Sequence, residues 1–184
     1  MHFTLADLIT DITQNSCEAG SSLVELTVSE GKGEIRFMVK DNGKGMTKEE
    51  LELATDPFVT DGIKHPNRKV GFGLPFLIQT AEQSGGGWDI KSDKGIGTTA
   101  LAWFDSGNVD TPPLGDIPGM FRIILTSHTK AEIIIHRILK QEDGTEKSYE
   151  VRKSELAEAL GGLKDSGSLV LLGKYLRSLE EFED

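Results

Sequence analysis

Three glycine-bearing junctions constrain this chain more than any other feature. They are MVKDNGKGM at 38–46, KVGFGLPF at 69–76 and DKGIGTTALAWF at 93–104. Before the first junction lies a helical pattern. Thr4 and Asp7 form a capping-box-like start, and Leu5, Leu8, Ile9 and Ile12 recur at helical spacing, so the pattern predicts a helix over 4–18 that AGSS ends. LVELTV and EIRFMV, joined through SEGKGE, read as a strand, a turn and a strand. Thr47 with Glu50 opens a short helix over 47–54, and residues 55–68, broken by Pro57, Gly62 and Pro66, keep neither period. Loops of that length in compact domains are usually functional or disordered. A further helix over 74–83 stops at GGG, and WDIKS and TTALAWF make a hairpin around the third junction. The order helix, two strands, short helix, long loop, helix, two strands predicts an α/β (α+β) fold of the two-layer sandwich type.

The stretch DSGNVDTPPLGDIPG at 105–119 is the richest in proline and glycine and marks the best boundary. The expected organisation is a first domain over 1–105, a linker over 106–119 and a small C-terminal α+β module over 120–184. In that module FRIILTS, AEIIIHRILK and KSYEVRK read as three strands. Two helices follow from Ser154 and Ser168, the second carrying Leu169, Leu172, Leu176 and Leu179 on one stripe. Sequence alone leaves open whether this tail stands by itself or packs on the first domain.

Composition narrows the function classes. Thirty acidic against 20 basic residues give a net charge of −10, which opposes nucleic-acid binding because phosphate neutralisation needs a basic surface. A nucleotide remains compatible, since a metal ion and a few local cations offset several phosphate charges. No apolar run approaches the roughly 18 residues of a membrane helix, and the N-terminus lacks the marks of a signal peptide, so a cytoplasmic location without membrane contact is expected. The single Cys17 excludes an internal disulfide framework and a cysteine-rich metal site.

The junctions carry the chemistry. At the end of a strand, Asp41 can accept a hydrogen bond from an exocyclic amine, while Gly43 and Gly45 allow a tight turn and close approach of a flat base. Taken singly, the same residues also suit a polar turn. Gly71 and Gly73 stand at a helix entry, where unpaired N–H groups favour phosphate. That segment is neither a Walker loop nor a dinucleotide fingerprint. Gly95, Gly97, Thr98 and Thr99 fit a hairpin turn followed by a β-branched strand start. On the first helix Asp7, Asp11 and Asn15 share the face away from the apolar stripe, suited either to solvent or to a metal-bound polyphosphate.

The order of DITQNSCEAG, DNGKGM, DPFVT, VGFGLPFLIQTAEQSGG and GIGTT resembles the ATP-binding domain of the GHKL superfamily, which includes DNA gyrase B, the ninety-kilodalton heat-shock chaperone, histidine kinases and MutL. The later segments look most like histidine kinases, and NSCEAGSS looks more like the MutL group. The resemblance implies ATP and Mg²⁺ as cofactors, with Asn15 as the metal ligand, a role an amide oxygen can fill. It implies Asp41 as the partner of the adenine amine. Gly43, Gly45 and Met46 fall in the first glycine box, Gly71, Phe72, Gly73 and Leu74 in the second, and Thr98 in the third. Phe58 matches the lid phenylalanine of histidine kinases. Lys64, Arg68 and Lys69 are cations in or beside the lid that can reach a terminal phosphate.

At Asp11 the hydrolysing members usually carry glutamate, the general base for water. Aspartate sets its oxygens back by roughly 1.5 Å, a misplacement that can cost about a hundredfold. Asp11 is therefore expected either to support slow hydrolysis or only to help orient the metal. None of His2, His65, His128 and His136 lies in a phosphoacceptor context, and the chain begins at the first box, so autophosphorylation in cis is not expected. Three activities fit: a nucleotide-driven switch with slow ATP hydrolysis, a kinase acting in trans on a partner serine or histidine, and a non-catalytic ATP/ADP sensor. Each implies an unidentified protein partner, and a homodimer is compatible with the resemblance.

Overall fold

A computed structural model describes residues 3–56 and 73–181. The first helix, α1 (Leu5–Glu18), starts as expected: Thr4 accepts from the Asp7 N–H, and the Asp7 carboxylate accepts from the Thr4 N–H. Leu5, Leu8, Ile9 and Ile12 make its buried stripe. Two strands follow, β1 (Leu23–Gly31) and β2 (Glu34–Asp41), then the short α2 (Lys48–Thr55), opened by a Thr47/Glu50 capping box. Next come α3 (Gly73–Gln83), β3 (Gly87–Asp93) and β4 (Gly97–Asp105). Along β2 the side chains alternate strictly: Ile35, Phe37, Val39 and Asp41 are buried, and those between them are not. Pairing in register keeps one face of the sheet apolar, and a slip of one residue would expose it.

The second half begins with a correction. FRIILTS is not a strand; residues Ile117–Leu125 form helix α4. Its buried residues Ile117, Met120, Phe121, Ile124 and Leu125 follow i, i+3, i+4, i+7 and i+8, a helical stripe. The two leading members fall in or beside the segment read as linker, so the truncated remainder looked like a continuous apolar run. Asp116 caps the helix by accepting from the Gly119 N–H, and Pro118 lies in its first turn, where a missing N–H costs nothing. Strands β5 (Glu132–Lys140) and β6 (Glu146–Arg152) and helices α5 (Lys153–Leu160) and α6 (Ser166–Glu180) complete the chain. The last two start close to Ser154 and Ser168, as their sequence suggests.

The described strands all join one six-stranded sheet in the order β3-β4-β2-β1-β5-β6. The pairs are antiparallel except β1 with β5, which run parallel from Leu23 opposite Glu132 to Glu30 opposite Leu139. The fold is thus α+β with a mixed sheet. Residues of both halves share one apolar core, in which Val24 and Leu26 of β1 meet Ile133 and Ile135 of β5. Helices line the buried face: α3 contacts β3 and β4, α1 contacts β1 and β2, and α4 bridges α1 and α6. The proline-rich segment runs across the start of α1, where the carbonyls of Pro113 and Leu114 accept from the N–H groups of Leu5 and Ala6. Those are first-turn donors with no partner inside the helix.

Candidate nucleotide site

Asp41 is the last residue of β2 and points toward the helices, because the strand alternation that buries Val39 buries it too, to 6% exposure. A buried carboxylate needs donors. The Ser16 hydroxyl on α1 donates to Oδ2 at 2.7 Å, and the Gly43 N–H donates to Oδ1 at 2.8 Å. Each oxygen keeps lone-pair capacity for a further donor. The register sets Thr98 of β4 directly opposite Asp41. The Thr98 hydroxyl lies 2.8 Å from that of Ser92, which also accepts from the Met46 N–H at 2.9 Å.

The first and third glycine segments close on each other here. A side chain at Gly43 would meet Ala19 Cβ and Ser21 Oγ at 2.8 Å. At Gly45, where φ is +58°, a side chain would run into the carbonyl of Asp93. At Gly97 it would strike the carbonyl of Asp41. The Gly95 N–H donates to the Lys44 carbonyl at 2.7 Å, and the Lys44 N–H to the Ala19 carbonyl at 3.0 Å. The absent side chains let the loop after β2 lie tightly between the end of α1 and the β3–β4 turn. A cavity of about 350 Å³ touches the backbone here from the other side, lined mainly by Leu23, Glu25, Lys40, Lys91 and Thr99, whose side chains alternate to the sheet face away from the helices.

Asn15, next to Ser16, and Asp11, one turn before Asn15, are exposed on α1. Asn15 faces the start of α3: a Cβ at Gly73 would lie 3.0 Å from Asn15 Nδ2. The start of α3, the kind of helix end whose first N–H groups lack intrahelical partners, therefore stands beside an amide that can offer a hard oxygen. Partial burial, then the neighbouring Asp7 charge, push the Asp11 carboxyl above its ordinary value. Among the described residues no cluster of three histidine, cysteine or carboxylate side chains could hold a metal. An amide oxygen such as that of Asn15, together with phosphate oxygens and water, would make a hard donor set of the kind Mg²⁺ takes.

Leu74 packs against the core from the first turn of α3. Phe58, Lys64, Arg68, Lys69, Gly71 and Phe72 lie outside the described residues. The structure thus brings Asp41, Gly43, Gly45, Met46 and Thr98 into one cluster and places Asn15 against Gly73, with Ser16 linking the two groups. Sequence reasoning missed Ser16 and Ser92. The signal for Ser16 is present, since it follows Asn15 and faces inward from α1, toward the strand ends. Asn42 also escaped notice: its Oδ1 accepts from the N–H groups of Ser22 and Leu23, fixing the start of β1.

Comparison with known proteins bears on this site. Residues 3–108 match the family described as Histidine kinase-, DNA gyrase B-, and HSP90-like ATPase. The chain is 27% identical over 93 residues to the sensor histidine kinase ZraS of Escherichia coli, covering 50% of this chain and 19% of that protein. It is 34% identical over 84 residues to the DNA mismatch repair protein MutL of Halothermothrix orenii, covering 43% of this chain and 13% of that protein. It is 33% identical over 80 residues to the sensor protein SrrB of Staphylococcus aureus, covering 42% and 14% respectively. A solved histidine kinase domain from a blue-light activated kinase of Erythrobacter litoralis aligns with TM-score 0.31 and 19% identity, covering 47% of this chain and 34% of that one. The chain spans less than a fifth of each of these curated relatives. No helix among the described residues is long and apolar enough to cross a membrane. With its family match running through α1, the glycine junctions and the Asp41–Thr98 pair, the chain belongs to the histidine kinase-, DNA gyrase B- and HSP90-like ATPase family, the GHKL superfamily.

Proposed function

We propose that this protein binds Mg-ATP at the junction of α1, α3, β2 and β4 and works as a nucleotide-driven switch with slow hydrolysis. The observation that carries the reading is the buried Asp41 carboxylate. It is held by Ser16 and the Gly43 N–H, and flanked by glycines whose side chains would collide with backbone. A buried anion aimed past a tight backbone loop suits the exocyclic amine and flat face of adenine. Asn15, beside the N-terminal end of α3, would hold the metal on the phosphates. Mg²⁺ supplies charge neutralisation and orientation of the phosphates. Asp11, on the same helix face, serves as the base toward water, its carboxyl held above its ordinary value by partial burial and then by the Asp7 charge. Phe58, Lys64, Lys69, Gly71 and Phe72 complete the proposed contacts. The charge lost with the terminal phosphate gives the differential interaction a switch requires, read by a protein partner.

The test is incubation with γ-labelled Mg-ATP, following free phosphate and protein-bound label together, with Asn15→Ala and Asp11→Asn alongside. Binding lost in Asn15→Ala and phosphate release lost in Asp11→Asn are expected. Unchanged calorimetric affinity in Asn15→Ala would remove Asn15 from the site. Label appearing on an added partner instead of in solution would replace the switch by a kinase acting in trans.

A further inference from the structure

The outer face of α6 and the adjoining edge of α4 carry a surface that the nucleotide reading does not use. Of the five arginines among the described residues, three sit on carboxylates: Arg36 on Glu34 at 2.9 Å, Arg137 on Glu30 and Glu180, and Arg152 on Glu150 at 2.6 Å. Arg122 of α4 and Arg177 of α6 do not. They converge instead over Gly173, where a Cβ would lie 3.6 Å from Arg122 Nη1 and 3.7 Å from Arg177 Nη2. Neither side chain has a hydrogen-bond or ion-pair partner among the described residues. In a chain of net charge −10, two guanidiniums brought together without a carboxylate are an inversion of the general pattern. Their planar forks match incoming carboxylates two hydrogen bonds at a time.

The neighbouring positions on α6 are apolar and open. Val170, Leu171 and Tyr175 are 54%, 55% and 44% exposed. Val170, Gly173 and Arg177 recur at i, i+3 and i+7 and form one row, while Leu171 and Tyr175 at i and i+4 form another, with exposed Lys174 between them. The result is a mixture of cations and exposed apolar side chains from Val170 to Arg177 of α6. Rows at i±4 spacing are the ridges into which a second helix packs.

We infer that this surface docks an acidic amphipathic helix of a protein partner, its apolar stripe on Val170, Leu171 and Tyr175 and its carboxylates on Arg122, Lys174 and Arg177. Charge complementarity selects the occupant. A second copy of this chain would bring the same paired arginines toward themselves, and like charges at an interface disfavour that pairing. Because α4 lies between α1 and α6 in the helical layer, the surface stands one helix away from the face bearing Asp11 and Asn15. The inference stands without the nucleotide reading, since it uses no residue of that site.

Fluorescence anisotropy with the full chain tests it. The probe is a labelled synthetic helical peptide with leucines at i, i+3, i+4 and i+7 flanked by glutamates, and its counterpart carries lysine in place of every glutamate. The acidic peptide should bind and the lysine peptide should not. The double variant Arg122→Glu, Arg177→Glu should bind the acidic peptide about tenfold more weakly, as loss of exposed charge-assisted pairs implies, and should gain affinity for the lysine peptide. Leu171→Asp should weaken the acidic peptide as well. All three positions are exposed, so circular dichroism should show an unchanged fold. Absence of binding, equal binding of both peptides, or affinities indifferent to charge reversal would overturn the proposal. A concentration-dependent dimer in sedimentation that Leu171→Asp abolishes would assign the surface to a second copy instead. Binding to phosphatidylglycerol vesicles that the double variant loses would assign it to a lipid surface; either result overturns the acidic helix.

Discussion

The Ser16 hydroxyl on α1 donates to Oδ2 of Asp41 at the end of β2 across 2.7 Å, joining two residues 25 positions apart in the chain. That bond fixes the carboxylate, and Gly43 satisfies its other oxygen. Ser16→Ala should therefore lower stability by about 1–3 kcal/mol, the cost of leaving a buried acceptor short of a donor. It should also weaken ATP binding, because Asp41 is freed to turn. Asp41→Asn is expected to separate the two effects. Its amide oxygen still accepts from the Gly43 N–H, and its NH₂ can donate to a rotated Ser16 hydroxyl, so melting should change little. Its NH₂, however, meets the adenine amine donor to donor. Calorimetry beside thermal melting checks both variants; an Asp41→Asn protein that binds ATP normally yet melts far lower would make Asp41 a structural residue.

Gly73 and Asn15 give a second test. A methyl group at residue 73 would stand 3.0 Å from Asn15 Nδ2, so the amide must move away from the start of α3. Gly73→Ala should reduce Mg-dependent ATP affinity by about tenfold, a loss of roughly 1.4 kcal/mol. Stability should hold or rise slightly, because alanine is the better helix former by about 1 kcal/mol. Titration with and without Mg²⁺ distinguishes the cases: an equal loss in both would mean that the methyl blocks nucleotide entry rather than the metal ligand.

How much of this was legible in the sequence follows from how local each signal is. The elements of the first half depend on short-range periods and caps, and Thr4, Asp7, Thr47 and Glu50 act where they were expected. The glycine junctions were visible as composition, but their purpose was not. Gly43 is required by Ala19 and Ser21, Gly45 by Asp93 and Gly97 by Asp41, contacts that only the closed sheet creates. In the second half α4 was hidden because its stripe begins at Ile117, inside a proline-rich segment, and the remaining FRIIL run carries no period of its own. The parallel pairing of β1 with β5 spans too much sequence for any local pattern to announce. Ser16 was overlooked for the same reason: its partner lies on another element.

Asp11 should show its environment in a pH titration. Partial burial and the Asp7 charge raise its carboxyl pKa in the folded state, so the ionised form is disfavoured by folding. The cost is fully present above the folded pKa and disappears as pH falls through it to the unfolded value. Asp11→Asn should therefore melt at or above the wild-type temperature at neutral pH, with the difference vanishing in acid. The same variant should lose phosphate release by about a hundredfold or more if Asp11 is the base, the upper part of the range for general-base removal being about ten-thousandfold. A variant that melts lower than wild type at pH 7 would contradict the electrostatic reading, and one that hydrolyses ATP at the wild-type rate would contradict the catalytic one.

Arg137 sets the strength of the join between the two halves. Its side chain is 3% exposed, and its guanidinium reaches Glu30 at 2.6 Å on β1 and Glu180 at 3.2 Å on α6. The Tyr149 hydroxyl donates to Glu180 at 2.5 Å, and burial followed by the Glu180 contacts push that phenol far above its usual range. Removing one member of a buried ion pair costs about 3–5 kcal/mol, because the other charge is left in a poor dielectric. Here both carboxylates keep some solvent, so Arg137→Ala should fall near the lower end, about 3 kcal/mol. Arg137→Met should cost less, since it refills the volume while the two glutamates turn outward. Urea unfolding followed by circular dichroism measures both. If the network joins one cooperative unit, each variant shifts a single transition without splitting it, and the midpoint falls further for alanine than for methionine. A transition that splits in two, with one part unmoved, would show that β5 and β6 unfold separately from the β1–β4 part of the sheet, which carries Asp41.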